Sequence, residues 1–530
     1  MTTAVLALLA CGPSEDQIID PVDTVDTAPV VEERDPRFDA LAAAMRSDLA
    51  RNGTHGASVA VWEDGEVVYA EGFGSARSDS DVPVDTETLF QIGSTTKFQT
   101  AIALLQKVED GDVALDDTLD ATVPGLEFTL GEDWDDQVQM QHLLSHQGGF
   151  YDWLDWSQGP DDALLQDYSL GTFAQYLWLM NTPGSFWNYS NPNFVMAGLV
   201  TELNDTRAWP DIVVEDVYRA LGMERSQMRR EAVEQDGNYA LGSGFVNLET
   251  GAQGDITDLS QIPDPGWARP AGLGWSTPTE MMALAEFLVD GDPSVLSDAL
   301  RQQLTSPQVD LELMPDGAEV HYGYGMFLHP GFTIGDHYYP WPMWEHGGNT
   351  LHFTSSFSVL PEQRFAISIL SSGYGDNFGD SLATALETLL ELPEPGAVAE
   401  YAFDPDGLDR HVGHYIDANN VGDIFIEREG DILTVSMPYL DELGYTVERE
   451  LVPASTDIWY LNIDGGWYDL TFLGEGEGDS QWLRNRAFVG TRVSDAAPPV
   501  ARTPLRGAID DALRSATGPM GPLRQSDGTR

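Results

Sequence analysis

Apolar residues recur at steps of three and four positions between Lys97 and Glu109, and this spacing predicts a helix with one buried face. The residues on that face are Phe98, Ala101, Ile102, Leu105 and Val108. Gly111 follows the pattern and is expected to end the helix, because glycine adopts the left-handed conformation common at helix ends. Comparable patterns predict helices at 38–49, 194–203, 278–290 and 379–392, and a mostly helical region at 152–183.

Two hairpins stand at the two ends of the region that contains these helices. Asp64-Gly65 separates two apolar runs and is a strong signal for a hairpin turn. Residues 361–364 join strand-like runs at 353–360 and 365–370. Because strands at both ends enclose the helices, we expect the ends to meet in one antiparallel sheet. The pattern therefore predicts an α+β domain at 36–395, with helices flanking the sheet and an all-helical subdomain.

The pattern changes after the proline-rich linker 392–396. Short strand-like runs separated by glycine-rich turns predict a small all-β domain, barrel-like or a sandwich, at 401–494. The predicted strands are 412–416, 423–427, 433–437, 446–452, 458–461, 468–472 and 487–492. Residues 12–35 and 495–530 lack this organisation, and we expect a disordered acidic linker and a flexible tail there.

The net charge narrows the possible partners. The 530 residues include 87 Asp and Glu against 26 Lys and Arg, which gives a net charge of −61. Such a chain repels nucleic acid and anionic membrane surfaces, so we expect neither as a partner. The acidic excess fits a protein kept soluble in high salt, and it fits equally well an acidic surface without that adaptation.

Cys11 is the only cysteine, so no disulfide can form within the chain. Residues 1–11 are apolar towards this cysteine and resemble the end of a bacterial lipoprotein signal, in which the cysteine is lipidated. The segment lacks the basic start of a secretion signal, so the alternatives are a start further upstream or an accidental likeness. We expect a lipid anchor at Cys11 and a place in the cell envelope or outside the cell, because the linker that follows suits a tether. No other stretch is long and apolar enough to cross a membrane.

The first candidate for chemistry is Ser94-x-x-Lys97, at the start of the predicted helix. Backbone N–H groups there lack helical partners, and the helix dipole favours developing negative charge. A lysine three positions on shares the serine's face and can exchange a proton with its hydroxyl. The chain has only two lysines, Lys97 and Lys107, which indicates that this position needs an amine able to lose its proton. The alternative is a helix cap followed by a surface lysine.

Two further segments combine turn residues with groups that could enter a cleft. Tyr189-Ser190-Asn191 lies in a loop rich in proline, glycine and asparagine, and it could present a phenol and an amide. The alternative is a packed aromatic ring beside ordinary turn residues. The glycines of His346-Gly347-Gly348 allow a ligand or the Ser94 helix to approach the backbone closely.

His142 and His146 have the i, i+4 spacing of a metal-binding pair. No glutamate lies between them as in a metalloprotease helix, and no cysteine is available to join them. We therefore expect both to be structural, and a zinc hydrolase is the disfavoured interpretation.

In this order and at these separations, the three motifs resemble the serine hydrolases of the class C β-lactamase and D-alanyl-D-alanine carboxypeptidase family. That family also includes esterases and D-amino-acid peptidases. The likeness covers about 38–392 and implies a β-lactamase/transpeptidase-like fold. Residues 401–494 resemble the lipocalin-like accessory domain appended to many of these hydrolases.

The resemblance implies a role for each matching residue. Ser94 would attack the substrate carbonyl and become acylated, while Lys97 and Tyr189 would share the proton transfers. Asn191 would orient Lys97 and contact the substrate, and backbone N–H groups of Ser94 and Asn349 would form the oxyanion hole. The residues implied to line the cleft beside them are His346, Gly347 and Gly348. No metal or organic cofactor is expected for this chemistry.

One departure from the family pattern bears on the substrate. β-Lactamases usually carry lysine where His346 stands, and a histidine, mostly neutral at pH 7, holds a substrate carboxylate less strongly. We therefore predict a serine hydrolase for an ester or a D-amino-acid amide, similar to esterases and carboxypeptidases, with a small molecule or peptide as substrate. The alternative is a non-catalytic envelope protein that binds peptidoglycan fragments on the same fold. The oligomeric state is not predicted.

Overall fold

The computed structural model describes residues 35–128, 135–248, 250–311, 319–398, 403–474, 476 and 478–493. The predicted signal-like segment with Cys11, the acidic linker up to residue 34 and the predicted tail lie outside these ranges. Among the described residues, no helix has the length and apolar composition needed to cross a membrane.

An antiparallel sheet lies at the centre of the region between residues 37 and 390. Over the described ranges it has eight strands, in the spatial order Glu66–Gly74, Gly56–Glu63, Phe365–Ser371, Thr354–Leu360, Met343–Asn349, Phe327–His329, Val320–Tyr322 and Val309–Leu311. Gly56–Glu63 pairs with Phe365–Ser371, with Ala57 opposite Ser371. The two ends of the region therefore meet in one sheet, and the predicted α+β architecture is confirmed.

Helices cover both faces of this main sheet. Val59 and Val61 point towards helices Asp39–Asn52 and Gly379–Leu389 on one face, whereas Ala60 and Trp62 belong to the core on the other face. Three longer helices contribute to that second core, namely Lys97–Asp110, Asn191–Leu203 and Pro278–Asp290. Burial on both faces explains why strand Gly56–Glu63 is apolar almost throughout.

Shorter elements complete this region. The remaining α-helices of its described residues are Leu119–Thr122, Met140–Leu144, Leu164–Tyr168, Ala174–Tyr176, Trp209–Val213, Arg230–Asp236, Arg269–Gly272 and Asp298–Leu304. Small antiparallel pairings join Phe90–Gln91 with Trp275–Ser276, Ser243–Asn247 with Ala252–Asp255, and His337–Tyr339 with both Phe332–Ile334 and Gly396–Ala397.

Several predicted boundaries are wrong in detail. Asn191 belongs to the first turn of a helix and not to the preceding loop, and the last helix of the region ends at Leu389. The end of the predicted linker pairs as strand Gly396–Ala397 with His337–Tyr339. Within 152–183, helical structure is confined to the continuous segment 164–176, because aromatic side chains with helical intervals are also found in the loops around it.

The C-terminal strands form a nearly closed antiparallel barrel, which we call the barrel. In the part of the chain that the structure describes, its strands follow the order Ile432–Ser436, Gly422–Glu429, Gly413–Asp417, Phe488–Arg492, Trp482–Asn485, Gly466–Leu473, Ile458–Ile463 and Val452–Pro453. The described residues of the C-terminal region also form an α-helix, Pro438–Leu443, and a 3-10 helix, Pro405–His411, neither of which was predicted. The predicted strand 446–452 is mostly wrong, since it bridges its neighbours through isolated hydrogen bonds such as Val435 N to Arg449 O, 2.8 Å.

The core of the barrel continues into the helical part of the preceding region. Tyr151, Trp178, Met180 and Phe186 are buried together with barrel residues. The rings of Tyr151 and Trp178 stack at 4.0 Å, and Phe186 meets Trp482 of the barrel at 5.6 Å. The loop that leads to Tyr189 is therefore held between the two regions.

Candidate active site

Ser94 lies on the tight turn Gly93–Thr96, which runs directly into helix Lys97–Asp110. Gly93 has a φ of 53°, a conformation that favours glycine, and a Cβ placed there would lie 2.7 Å from the backbone nitrogen of Asn349. The residues on either side of Ser94 are buried, whereas Ser94 itself is half-buried. Its hydroxyl is thus the reachable group of an otherwise enclosed turn.

Lys97 is completely buried one helical turn after Ser94. Its Nζ lies 3.0 Å from Ser94 Oγ, 2.8 Å from Asn191 Oδ1 and 2.5 Å from the carbonyl oxygen of Ala271. Burial lowers the pKa of Lys97 well below its ordinary value, and Arg486 lowers it further while Asp152 opposes the change. A neutral amine donates two hydrogens, here to the two carbonyl oxygens, and its lone pair can then accept the Ser94 hydroxyl proton.

Tyr189 and Asn191 approach the same point from the start of helix Asn191–Leu203. The Tyr189 ring centre is 4.9 Å from Lys97 Nζ, and the phenol interacts with the Ser94 side chain. Burial raises the pKa of Tyr189 strongly, while Arg486 and Ser94 oppose that rise. The structure therefore brings Ser94, Lys97, Tyr189 and Asn191 together, although Asn191 is separated from Lys97 by 94 positions.

The backbone of strand Met343–Asn349 lies against the Ser94 turn. A Cβ on Gly348 would be 2.0 Å from Ile92 O and 2.8 Å from Ser94 N, so only glycine allows this approach. Gly347 points the other way, is exposed, and would meet Ser355 O at an ordinary 3.6 Å. A ligand or the Ser94 helix was expected to approach the glycine pair, and Gly348 lies against the Ser94 turn. The Asn349 side chain is turned towards Thr354 and Gly375, which leaves its backbone nearest the site.

His346 is buried beside Tyr322 and carries no charge. Its Nδ1 donates to the carbonyl oxygen of Gly347 at 2.6 Å, so Nε2 accepts from the Tyr322 hydroxyl at 3.2 Å. Burial lowers the pKa of His346 to about 3, and the proximity of Lys97 acts in the same direction. A neutral imidazole at this position cannot attract a substrate carboxylate as a lysine would.

Two charged residues that the sequence did not indicate complete the site. Asp152 Oδ1 accepts hydrogen bonds from the Asn191 backbone at 2.8 Å and from its side chain at 3.0 Å. Asp152 Oδ2 accepts from Arg486 Nε at 2.8 Å, and the Arg486 guanidinium lies 4.4 Å from the Tyr189 ring centre. Neither residue belongs to a recognisable motif, and no local signal could have found them.

His142 and His146 make different contacts in the structure. His142 Nδ1 accepts a hydrogen bond from Gln139 N and so caps its own short helix. His146 is buried 4.2 Å from the Tyr189 ring, and its Nδ1 accepts from Ser190 N at 3.1 Å. Among the described residues, no group of three or more His, Cys, Asp or Glu side chains could hold a metal ion.

A family model described as Beta-lactamase matches residues 41–391, about two thirds of the chain. The chain belongs to the beta-lactamase family. The family assignment and the site geometry agree, because the matched residues include the Ser94 turn, Tyr189 and the strand of His346. This beta-lactamase family protein is a serine hydrolase.

Two relatives and one solved structure extend the comparison. "Penicillin-binding protein 4*" of Bacillus subtilis is 23% identical over 77% of this chain and 88% of its own length. A "D-aminopeptidase" of Gluconobacter oxydans is 27% identical over 54% of this chain, and the match spans only about half of that enzyme, 51%. The crystal structure of SurE has a TM-score of 0.63 at 19% identity and covers 86% of this chain and 99% of its own. At that identity the likeness concerns the fold, and its coverage extends into the barrel.

Proposed function

We propose that this protein hydrolyses an ester or a D-amino-acid amide through an acyl-enzyme on Ser94. The observation that carries the proposal is the 3.0 Å contact between Ser94 Oγ and a completely buried Lys97 amine. An amine kept neutral by burial can accept the serine proton at neutral pH, which activates the hydroxyl as a nucleophile.

The proposed reaction takes place in two steps, acylation of Ser94 and hydrolysis of the acyl-enzyme. Ser94 Oγ bonds to the substrate carbonyl carbon, and its proton passes through Lys97 and Tyr189 to the departing alcohol or amine. A water molecule then attacks the acyl-enzyme, gives its proton to the same pair, and releases the acid and the Ser94 hydroxyl. Backbone N–H groups of Ser94 and Asn349 stabilise the oxyanion in both steps, a contribution of about 3–4 kcal/mol per donor in a well-studied hydrolase.

The surroundings of Ser94 favour a substrate that does not depend on a lysine at position 346. A neutral His346, next to the rings of Tyr322 and Phe327, offers an apolar wall with hydrogen-bonding capacity. The name of the D-aminopeptidase relative suggests amides of D-amino acids, and esters are the easier substrates because an alcohol leaves more readily than an amine. We expect poor hydrolysis of β-lactams, because a neutral His346 attracts a substrate carboxylate less strongly than a lysine would.

Labelling tests the nucleophile directly. A fluorophosphonate probe should add once to the wild-type protein, as measured by intact-protein mass spectrometry, and should leave Ser94→Ala unmodified. The wild type should hydrolyse p-nitrophenyl butyrate fastest, D-alanine p-nitroanilide more slowly, and nitrocefin slowly or not at all. An unlabelled wild type that binds muropeptides without turnover would instead favour the non-catalytic alternative.

We also propose that the protein is anchored in the cell envelope through a lipid on Cys11, which supports access to extracellular esters or peptides. The support is the apolar segment before Cys11 and the acidic linker after it. Expression in a bacterial host with radiolabelled palmitate should label the wild type and not Cys11→Ala. Equal labelling of both, or of neither, would contradict the anchor.

A further inference from the structure

We propose that Arg486, supplied by the C-terminal barrel, is a positioning residue for the proton-transfer groups Lys97 and Tyr189, so that the barrel is part of the active site. The inference rests on the proposed function, because it assigns Arg486 a role in activating Ser94. This role for the barrel is not indicated by the sequence, in which the barrel follows the residues 41–391 that match the family model.

Arg486 reaches the site from the turn between strands Trp482–Asn485 and Phe488–Arg492. Its Nε and Nη2 donate to Asp152 Oδ2 at 2.8 and 2.7 Å. The guanidinium also lies over the Tyr189 ring at 4.4 Å. Since Asp152 holds Asn191 through its other oxygen, a continuous set of contacts joins Arg486 to Asn191 and from there to Lys97 Nζ.

The turn that presents Arg486 is fixed from several sides. Asn420 Nδ2 donates to Ala487 O at 2.6 Å, and Asn485 Nδ2 donates to Asp469 O at 2.7 Å. Arg484 Nη1, on the same hairpin, donates to the carbonyl oxygen of Trp187 at 2.8 Å. The hairpin is thus anchored both within the barrel and to the loop that carries Tyr189. Such anchoring is needed if Arg486 is to hold its partners in a fixed geometry.

The charge of Arg486 acts on the groups that must lose a proton. It lowers the pKa of Lys97, in addition to the larger effect of burial, and it opposes the rise in the pKa of Tyr189. Asp152 has the opposite effect on both residues. The pair Asp152–Arg486 therefore balances the local charge, and removing the cation alone would make Lys97 and Tyr189 harder to deprotonate.

The other ionisable groups around these residues leave this balance in place. His146 and His346 are buried against the Tyr189 ring, and the pKa of each is lowered by burial, so they stay neutral near pH 7. The pKa values of Tyr322 and Tyr374 are raised by burial. Asp469 accepts a hydrogen bond from Asn485 of the hairpin through its backbone oxygen, and burial raises the pKa of its side chain. Among the residues that the structure describes, Asp152 and Arg486 are the charged side chains that shift the pKa of Lys97.

Four variants test the inference: Arg486→Gln, Arg486→Lys, Asp152→Asn and the double variant Asp152→Asn/Arg486→Gln. The substrate is p-nitrophenyl acetate, which carries no charge, and kcat and KM are measured from pH 5 to 9. For Arg486→Gln we expect kcat to fall roughly tenfold at pH 7 with little change in KM, and the acid limb of the profile to move to higher pH. Asp152→Asn should move that limb to lower pH, and the double variant should lie between the two.

Arg486→Lys keeps the charge and should keep the acid limb of the wild type. Arg428→Gln, which removes an arginine paired with Asp409 on the barrel surface, is the matched control and should leave the profile unchanged. Equal acid limbs for Arg486→Gln and the wild type would overturn the inference, and so would losses seen only with substrates that carry a carboxylate. Fluorophosphonate labelling of Ser94 separates the two hypotheses: no label on the wild type defeats the proposed function, whereas normal label with unchanged profiles defeats the role of Arg486 alone.

Discussion

The main-sheet region and the barrel contribute to the same site in different ways. The main-sheet region, residues 37–390, supplies Ser94 and Lys97 from a single helical turn, which fixes their separation. The barrel supplies Arg486 from a hairpin turn that is 334 positions away from its partner Asp152. The first kind of residue is specified by local structure, and the second only by the packing of one region on the other.

An added domain can influence the chemistry of a site without supplying a reacting group. The barrel packs on the loop 178–189, which leads to Tyr189. A charge delivered at that point acts on Lys97 and Tyr189 without replacing either.

The largest effect is expected for Lys97→Met, which keeps the length of the side chain and removes the amine. The variant should lose roughly 10²- to 10⁴-fold in kcat/KM for p-nitrophenyl butyrate, the range that general acid–base groups contribute. Stopped assays with purified, folded protein would measure it. The other lysine is the matched control.

Lys107 lies on the same helix, with its Nζ 2.8 Å from Asp205 Oδ2, and Asp205 keeps Arg207 as a partner when Lys107 is replaced. Lys107→Met should therefore retain the wild-type kcat/KM. If both methionine variants lose activity to the same degree, the lysines matter for folding and not for proton transfer.

A large effect is also expected for Gly348→Ala. Its Cβ would overlap Ile92 O and press on Ser94 N, so the strand must move away from the turn. We expect roughly 10²- to 10³-fold lower kcat, as for loss of an oxyanion donor, and a free energy of unfolding lower by about 1–3 kcal/mol. Gly347→Ala, whose Cβ meets only Ser355 O at 3.6 Å, should unfold at the wild-type denaturant concentration. Equal losses in the two variants would show that the close approach of Gly348 is unimportant.

These two cases show what the sequence could predict. The Ser94–Lys97 spacing is one helical turn, and a pair of glycines allows a close approach of the backbone, so both were accessible from local rules. The meeting of the two terminal hairpins followed from their position around the helices. Tyr189 and Asn191 were assigned to the site through the family likeness, since their local pattern fits a packed loop equally well.

The parts that escaped prediction share a physical cause. Strand Trp482–Asn485 was missed because Arg484 and Asn485 are polar and yet buried, so the alternation of apolar residues is absent. Their polar ends are satisfied by the carbonyl oxygen of Trp187 in the neighbouring region and that of Asp469 in the barrel, contacts that exist only after the chain has folded. Arg486 and Asp152 were missed for the same reason.

Arg484→Gln tests whether the hairpin's anchor and its charge can be separated. The change leaves the buried carbonyl oxygen of Trp187 without this donor, which should lower the free energy of unfolding by about 1–3 kcal/mol. Because Arg484 is not among the groups that affect the pKa of Lys97, the acid limb of the pH profile should stay where it is in the wild type. Urea unfolding and a kcat profile would measure both. A limb displaced as in Arg486→Gln would mean that the anchor alone produces the effect.

The smallest effect is expected for the pH dependence of stability in His346→Gln. The pKa of His346 is about 3 in the folded protein because of burial and the nearby Lys97, against about 6.5 in the unfolded chain. Between these values the unfolded chain binds a proton that the folded protein does not. The stability that depends on a neutral His346 is therefore complete above pH 6.5 and is lost as the pH falls.

Between pH 7.5 and 5.5 this loss amounts to about 1.4 kcal/mol for the wild type, and it should be absent from the glutamine variant. Urea unfolding of both proteins at the two pH values isolates the contribution, since the other histidines are common to both. Equal slopes would mean that His346 takes up a proton in the folded protein. That result would place a positive charge on His346, next to Tyr189, at low pH. This charge would add to that of Arg486, which the barrel supplies.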